Sequence, residues 1–194
     1  MIHDHGFNFD TELFLDLNGP WGPGWDSFFY QMSGRVIWIP LYLFILFIIY
    51  WRWGWKTMLA SLVFIGLSVI LTDQICNVFK SGFEKLRPTH HPHIQHLVYT
   101  VNDYRGGRFG TFSAHAAATS CIATFSALII RKKTFNVLIP LWVIVVSYSR
   151  IYLGVHFPAD IACGMVTGVL TAMIAYMLFR LRQLRRFYHP VPAT

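Results

Sequence analysis

The chain has 194 residues, of which 55% are apolar and 17% aromatic while only 13% are charged. This composition excludes an ordinary soluble protein and predicts a membrane protein whose residues 1–194 form a single domain. The formal net charge of +7 would suggest a nucleic-acid partner in a soluble protein, but here the cations flank apolar runs, so we expect membrane lipids and no nucleic acid as their partners.

The N-terminal segment, residues 1–34, mixes acids, glycines, prolines and aromatics. Within it, residues 10–17 carry their leucines and Phe14 at helical spacing, which predicts an interfacial amphipathic helix lying on the membrane surface. His3 and His5 form a loose pair, for which we expect disorder rather than a metal site. No basic start precedes an apolar core, so we expect no secretory signal and an insertion that relies on the spans themselves.

Five apolar runs follow and predict an all-α, polytopic membrane helical bundle of about five transmembrane helices. The first is short, so the bilayer must be thin around it or its ends must snorkel. The runs extend from Val36 to Trp51, from Thr57 to about Phe79, from about Phe112 to Ile130, from about Phe135 to Leu153 and from about Ala159 to Phe179.

The distribution of cations predicts the orientation of these spans. With five spans, one face carries nine cations, namely Arg52, Lys56, Arg131, Lys132, Lys133, Arg180, Arg182, Arg185 and Arg186. The other face carries seven. The positive-inside rule then predicts a multi-pass membrane protein with a cytoplasmic C-terminus and with the N-terminus and the long polar junctions facing outside.

A long polar segment, residues 80–111, separates the second span from the third and is interrupted by glycines and prolines. Loops of that length are usually functional or disordered. The parity of the spans places this loop on the same face as the junction between the fourth and fifth spans. We therefore expect an extracytoplasmic active-site loop where three polar blocks meet, namely KSGFEKLRP (80–88), TFSAH (111–115) and SRIYLGVHFPAD (149–160).

The three blocks supply the parts of a site for phosphoryl transfer. His156 and Asp160 are four residues apart, so on a helix that starts near Phe157 they stack on one face, where the carboxylate can fix the tautomer of the imidazole. Phosphoryl transfer needs cations for the phosphate oxygens, a nucleophile and an acid for the leaving oxygen. The candidate residues are His156, His115 and Asp160 for catalysis and Lys80, Arg87, Ser113 and Arg150 for binding phosphate, with no metal and no cofactor.

The residues follow a fixed pattern: lysine, six residues and Arg-Pro, then Ser-x-His, then Ser-Arg, five residues, His, three residues and Asp. This pattern resembles the type 2 phosphatidic acid phosphatase (PAP2) superfamily of membrane lipid phosphatases. The resemblance runs from about Asp73 to Gly164, and the flanking spans agree with the family only in kind. Nine specified residues at these spacings make a chance match remote.

The resemblance implies a role for each residue. His156 would attack phosphorus and form a phosphohistidine while Asp160 orients it, and His115 would protonate the leaving oxygen and later activate water. The phosphate would be held by Lys80, Arg87, Ser113 and Arg150. The family usually has Pro-Ser-Gly-His in the second block, whereas this chain has alanine at the glycine position, which leaves a backbone contact with phosphate open at Ala114.

Other residues on this face admit more than one interpretation. Lys80 and Arg87, seven apart, share a face if the segment is helical up to Pro88, and their structural alternative is snorkelling at the interface. Asp73 either orients Lys80 or makes a helix-packing hydrogen bond. Four histidines of the loop could bind a metal, contact a headgroup, belong to a lid or be solvated: His90, His91, His93 and His96.

The leading functional hypothesis, which rests on the resemblance, is a metal-independent phosphatase at the periplasmic face of a bacterial inner membrane. It would remove phosphate from a lipid, most simply undecaprenyl diphosphate or the 1-phosphate of lipid A. Phosphatidic acid and phosphatidylglycerol phosphate are the alternative substrates. A haloperoxidase with a vanadate pocket shares the three blocks, but those proteins are soluble. A non-catalytic lipid transporter or scramblase would need more spans and would not need the His156 and Asp160 pair. The oligomeric state stays open.

Overall fold

The computed structural model describes residues 7–188, with side-chain surroundings up to residue 183. In this range the chain forms α-helices, two short 3-10 turns and loops, without a β-strand, so the predicted all-α class is confirmed. The helices are α1 (Phe9–Leu17), α2 (Pro23–Met32), α3 (Ile39–Phe83), α4 (Ala114–Ile130), α5 (Lys133–Tyr152) and α6 (Pro158–Tyr188). The 3-10 turns are Val36–Trp38 and Pro88–His90. His3 and His5 lie outside the described residues.

Helix α3 is two helices joined at Gly54, whose backbone has φ 78° and ψ 170°. Only glycine adopts that conformation without steric cost, because any other residue places its Cβ against the backbone. Tyr42 in the first half and Val69 in the second half line the same cavity, so the chain reverses at the bend. The two halves correspond to the first two predicted spans.

Three stretches of the described residues have the length and hydropathy to cross a membrane, namely Val36–Phe83, Lys133–Tyr152 and Pro158–Gln183. Helix α4 is also apolar but has only 17 residues. The bounds of α4, of α5 and of the start of α6 agree closely with the predicted spans. The membrane bundle is therefore present as expected, while the count of five crossings stays a prediction.

Helix α6 packs closely against α4 through glycines on one of its faces. Gly164 and Gly168 are four residues apart, a spacing that lets two helix backbones approach each other. A Cβ atom added at Gly164 would lie 2.5 Å from the carbonyl oxygen of Ser113. This contact fixes the start of α4 beside the start of α6, where the candidate site lies.

The N-terminal helices pack on the protein around the end of α5. Phe14 of α1 is fully buried, and its ring meets that of Phe157 edge-on with 5.4 Å between centroids. The Asn18 side chain that follows α1 donates a hydrogen bond to the carbonyl oxygen of Tyr152 (2.9 Å) and accepts one from the backbone N–H of Tyr99 (2.8 Å). The predicted helix within residues 10–17 is present, and its position at the membrane surface stays a prediction.

Helix α2 was not predicted. It begins at Pro23, and its buried Phe29 stacks at 4.5 Å between ring centroids with Tyr152 of α5. Asp26 of the same helix accepts a hydrogen bond of 2.7 Å from the hydroxyl of Tyr152. Phe29 of segment 1–34 thus serves tertiary packing against α5.

Candidate active site

Four helix ends meet at one end of the bundle and carry most of the predicted site residues. Lys80 lies in the last turn of α3, and Ser113 is the N-cap of α4. Arg150 lies in the last turn of α5, and Asp160 lies in the first turn of α6. The parity argument made from the sequence therefore holds for these residues: blocks far apart along the chain share one end of the bundle.

A cavity of about 320 Å³ lies between these helix ends. Five of the seven predicted site residues line it, namely Lys80, Arg87, His115, Arg150 and His156. The other two, Ser113 and Asp160, are buried in its wall, with 0% and 2% of their surface exposed. Cations dominate the lining, and the arrangement suits an anion with several oxygens, such as a phosphate.

His156 stands in the short connection between α5 and α6 and is buried. Its Nε2 atom lies 3.3 Å from the guanidinium NH1 of Arg87. Because arginine can only donate, Nε2 must present its lone pair, and the proton of the neutral imidazole belongs on Nδ1. Burial and then the positive charges of Arg87 and Arg150 hold the pKa of His156 well below its usual 6.5, which keeps the imidazole neutral and nucleophilic.

Asp160 is held by three hydrogen bonds. Its Oδ2 atom accepts from the backbone N–H of Phe157 (3.0 Å), the reciprocal contact by which a residue in the first helical turn caps its own helix. Its backbone oxygen accepts from the N–H of Ser113 (2.9 Å), and its Oδ1 accepts from Lys85 (2.8 Å). Oδ2 lies 3.4 Å from Nδ1 of His156, which is within ion-pair distance although the geometry is not that of a hydrogen bond.

Lys85 is one of the residues around this site that sequence reasoning missed. Its ammonium lies 2.8 Å from Oδ1 of Asp160, 3.5 Å from Oδ2 of Asp10 in α1, and 4.5 Å from the ring centroid of Phe157. Lys85 stands inside the first block, two residues before Arg87, but no spacing rule singles it out. Its partners are remote in sequence, so only the fold reveals them.

The helical interpretation of the segment from Lys80 to Arg87 was wrong. Helix α3 ends at Phe83, because Glu84 takes the left-handed conformation with φ 44° and ψ 29°. Arg87 is instead in an extended strand-like segment, where its backbone N–H donates to the carbonyl oxygen of Arg108 (3.1 Å). Its side chain donates from Nε to Phe109 O (3.0 Å) and from NH1 to Val155 O (3.1 Å), which aims it at the cavity.

Arg150 is only 3% exposed, yet it has no carboxylate within 4 Å among the described residues. Its NH2 donates to the hydroxyl of Tyr104 (3.2 Å), and its Nε is buried without a hydrogen-bond partner in that part of the chain. A buried cation whose donors are unsatisfied is costly, so it indicates a place for an anionic ligand. Tyr104, which also lines the cavity, was not predicted.

The start of α4 adds a further source of positive potential. The Ser113 hydroxyl accepts from the backbone N–H of Ala116 (3.4 Å), and Ala114 and His115 then line the cavity. The exposed N–H groups of a first helical turn attract anions. In this structure the Ser113 side chain caps α4, so its contact with phosphate stays a prediction.

Asp73 and Arg35 stand at the edge of the cavity, and both also line an adjoining apolar cavity of about 440 Å³. Asp73 accepts a hydrogen bond from Asn77 of the same helix (3.1 Å) and forms no ion pair with Lys80, so neither of its two predicted contacts is present among the described hydrogen bonds and ion pairs. Arg35 was not predicted as a site residue. It is exposed and has no carboxylate partner within the described residues.

The loop histidines do not gather into a metal site. Within residues 7–188 no group of three or more histidine, cysteine or acidic side chains could hold an ion. The rings of His91 and His93 are 5.8 Å apart, and His91 faces Phe157 behind the active-site cavity. These histidines could still contact a lipid headgroup, belong to a lid or be solvated.

The family of the chain follows from its sequence once this geometry is known. The sequence profile described as the PAP2 superfamily matches residues 61–184, which include all three blocks. The chain belongs to the PAP2 superfamily. It is therefore a membrane lipid phosphatase of PAP2 type, an enzyme that hydrolyses phosphoric esters, and the transporter and scramblase alternatives are set aside.

Several PAP2 relatives are similar over most of the chain. A lipid A 4'-phosphatase of Bacteroides thetaiotaomicron is 39% identical over 171 residues, which cover 87% of this chain and 76% of the relative. A lipid A 4'-phosphatase of Porphyromonas gingivalis is 36% identical over 171 residues, covering 88% and 72%. A lipid A 1-phosphatase of Rhizobium johnstonii is 22% identical over 124 residues, covering 60% and 47%.

Two solved structures share the fold. The crystal structure of Aquifex aeolicus LpxE has a TM-score of 0.66 and 22% identity, covering 91% of this chain and 99% of that one. The transmembrane PAP2 type phosphatidylglycerolphosphate phosphatase from Bacillus subtilis has a TM-score of 0.63 and 19% identity, covering 89% and 83%. These likenesses show that the chain shares its fold with both proteins.

Proposed function

We propose that this chain removes the 4'-phosphate from lipid A through a phosphohistidine at His156. The observation that carries the chemistry is the position of the His156 Nε2 lone pair, 3.3 Å from Arg87, in a cavity that it shares with His115, Lys80 and Arg150. A neutral imidazole among cations is a nucleophile that meets a bound phosphate without electrostatic repulsion.

The first step transfers the phosphoryl group to the protein. The Nε2 lone pair of His156 attacks phosphorus, and the bond from phosphorus to the sugar oxygen breaks. The leaving oxygen takes a proton from protonated His115, which lines the same cavity. The Nδ1 proton of His156 stays in place and faces Asp160, which stabilises the positive charge that develops on the ring.

The second step releases phosphate. His115, now neutral, takes a proton from water, and the water oxygen attacks phosphorus as the bond to Nε2 breaks. Inorganic phosphate leaves, and His156 recovers its lone pair. One histidine thus acts as nucleophile and the other alternates between acid and base, so the cycle closes without a change in the enzyme.

The cations of the cavity hold the phosphate during both steps. Arg87 lies against His156 in this structure, and we expect its NH1 to turn from Nε2 to a phosphate oxygen when substrate binds. Arg150 offers its unpaired Nε, and Lys80 offers its ammonium from the end of α3. These groups oppose the charge that spreads over the equatorial oxygens in the transition state.

The apolar cavity beside the active site suits the acyl chains of the lipid. It has about 440 Å³ and is lined mainly by apolar residues of both halves of α3 and of α4, including Tyr42, Val69 and Ile122. It shares His115 and Arg35 with the phosphate cavity, so a lipid can place its phosphate in one and an apolar chain in the other. Arg35 lies at the junction, where a second polar group of a headgroup would pass.

Similarity to lipid A 4'-phosphatases at 39% and 36% identity over more than four-fifths of the chain supports the choice of lipid. The likeness to a lipid A 1-phosphatase is more distant and covers less of both chains. The 4'-phosphate is therefore proposed ahead of the 1-phosphate, and undecaprenyl diphosphate has no comparable support. We further propose that the whole chain acts as one phosphatase unit in the inner membrane with its site towards the periplasm.

The test is a metal-free assay of the purified chain on lipid A that carries both phosphates. Mass spectrometry of the product should show loss of one phosphate, and fragmentation should assign the loss to the 4' position. His156→Ala should release none, while the matched control His96→Ala, an exposed histidine outside the cavity, should be fully active. Loss from the 1 position would overturn the choice of phosphate, and equal activity of His156→Ala would overturn the mechanism.

A further inference from the structure

Another cavity, of about 460 Å³, lies at the end of the bundle opposite the active site and is called the second cavity below. Its wall is formed by Trp53 beside the bend of α3, by Arg131 after the end of α4, and by Tyr176 and Arg180 of α6. Helix α4 separates it from the active site. Because α4 has 17 residues and rises 1.5 Å per residue, the two cavities are about 25 Å apart. The second cavity thus plays no part in holding the phosphate that reacts.

The charges at this end of the bundle have no counter-charge in the described residues. All acidic side chains from residue 7 onwards belong to the other end: Asp10, Glu12, Asp16, Asp26, Asp73, Glu84, Asp103 and Asp160. The charged side chains at the end of the bundle that holds the second cavity are all basic: Arg52, Lys56, Arg131, Lys132, Lys133, Arg180 and Arg182. Within residues 7–183 no ion pair involves any of them. An external anion is the remaining way to neutralise the cavity.

Arg131 is held in position for such an anion. Its backbone is left-handed with φ 50°, which ends α4 and turns the side chain towards α6. Its Nε donates to Leu128 O (3.0 Å) and its NH2 donates to the hydroxyl of Tyr176 (2.9 Å). A guanidinium has five N–H donors, so most of its donors remain for a ligand. Its orientation is thus fixed before any ligand arrives.

The rest of the cavity indicates that the anion is part of an amphiphile. Ile129 and Phe179 form an apolar floor, and each is at most 5% exposed. Trp51, Trp53 and Trp55 stand around the bend of α3 with more than half of their surface exposed. Exposed tryptophans at the end of an apolar helix mark the headgroup level of a bilayer. A free phosphate would fill only the basic rim.

We infer that this cavity binds the headgroup of an anionic phospholipid, with the phosphodiester on Arg131 and Arg180 and the first acyl carbons on the floor. Basic pockets between transmembrane helices are known to select such lipids. The site is independent of the proposed reaction. It would anchor this end of the bundle, and it would make the properties of the protein depend on the lipid composition of its membrane.

The test is a lipid titration of the full-length chain in detergent, with retained lipids counted by native mass spectrometry. Phosphatidylglycerol should be retained in preference to phosphatidylcholine. The double variant Arg131→Gln with Arg180→Gln should weaken phosphatidylglycerol binding on the order of tenfold or more. The matched control, Lys132→Gln with Lys133→Gln, removes the same charge from the same end but outside the cavity, and should bind as the wild type does.

A second variant guards against misfolding. Arg180→Gln alone removes a side chain that makes no hydrogen bond within the described residues, so it should weaken the lipid site without disturbing α6. Equal losses in the two double variants would show attraction to the charged surface only and would overturn the inference. So would equal retention of the two lipids by the wild type, or full displacement of phosphatidylglycerol by millimolar inorganic phosphate.

Discussion

The ammonium of Lys85 lies 2.8 Å from the carboxylate of Asp160, although 75 residues separate the two in the chain. Asp160 in turn lies 3.4 Å from the imidazole of His156. We therefore propose that Lys85 is a positioning residue, because it contacts the carboxylate beside the proposed nucleophile and does not itself line the cavity proposed to bind phosphate.

Replacement of Lys85 should therefore slow the reaction without abolishing substrate binding. Lys85→Met leaves Asp160 without its cation, so we expect kcat to fall about 10- to 100-fold, as for other partners that orient a reacting group, with KM little changed. Lys85→Arg should recover part of kcat, and Lys56→Met at the other end of the bundle is the control. A fall confined to KM would contradict the positioning role.

Arg150 gives a prediction that separates function from stability. Arg150→Met removes a buried cation without a carboxylate partner, so we expect phosphate release to fall about 10²- to 10³-fold while the thermal unfolding midpoint stays equal or rises. Activity and melting curves on the same preparation measure both. A large drop in the unfolding midpoint would instead assign Arg150 a structural role.

His115 is expected to act at both steps, which predicts trapping of the intermediate. His115→Asn should slow hydrolysis of the lipid ester about 10²- to 10⁴-fold. With an aryl phosphate, whose leaving group needs no acid, the variant should still be phosphorylated, and a phosphohistidine stable in base and labile in acid should accumulate. The double variant with His156→Ala should show none, and an equal signal there would place the phosphate elsewhere.

The depressed pKa of His156 predicts the direction in which acid affects stability. Below pH 6.5 the unfolded chain takes up a proton at this imidazole, whereas the folded chain does not until a lower pH. The free energy of unfolding should thus decrease as the pH falls below 6.5, by at most about 1.4 kcal/mol per pH unit from this group. The unfolding midpoint of His156→Gln should fall less over the same range, and parallel curves would refute the assignment.

Close packing of α6 on α4 predicts that a small substitution disturbs the site. Gly164→Ala places a methyl group 2.5 Å from the carbonyl oxygen of Ser113, so the helices must separate, at a cost of about 1 to 3 kcal/mol. Stability and activity should both decrease. The control is Gly66→Ala in α3, where an added Cβ meets nothing within 4 Å and helix propensity should improve. Equal behaviour of the two variants would exclude a role for this contact.

Those parts of the site could be predicted whose residues lie close together along the chain. His156 and Asp160 stand one helical turn apart, and Pro158 begins the helix that carries Asp160. Apolar runs bounded by cations predicted the helices, because burial in lipid requires that length and composition. The parity of the spans then predicted that Arg150 and Lys80 lie at the same end of the bundle, without any knowledge of packing.

The rest depended on contacts between remote segments. No rule for helix ends predicts a left-handed glutamate, so the break at Glu84 and the extended path to Arg87 could not be foreseen. Lys85 forms ion pairs with Asp10 of α1 and Asp160 of α6, and these partners approach it only in the folded chain. Helix α2 packs its buried Phe29 on Tyr152 of α5, a contact between remote segments that no local spacing predicts.

Asn18 links the loop that carries Arg87 to the junction that carries His156, since one amide group bonds the backbone at Tyr99 and at Tyr152. Shortening the N-terminus beyond this residue would therefore cut the tether between the two walls of the catalytic pocket, even though the deleted piece contains no reacting group. Truncated versions made to improve expression should retain everything from Phe9 onwards if they are to remain competent enzymes.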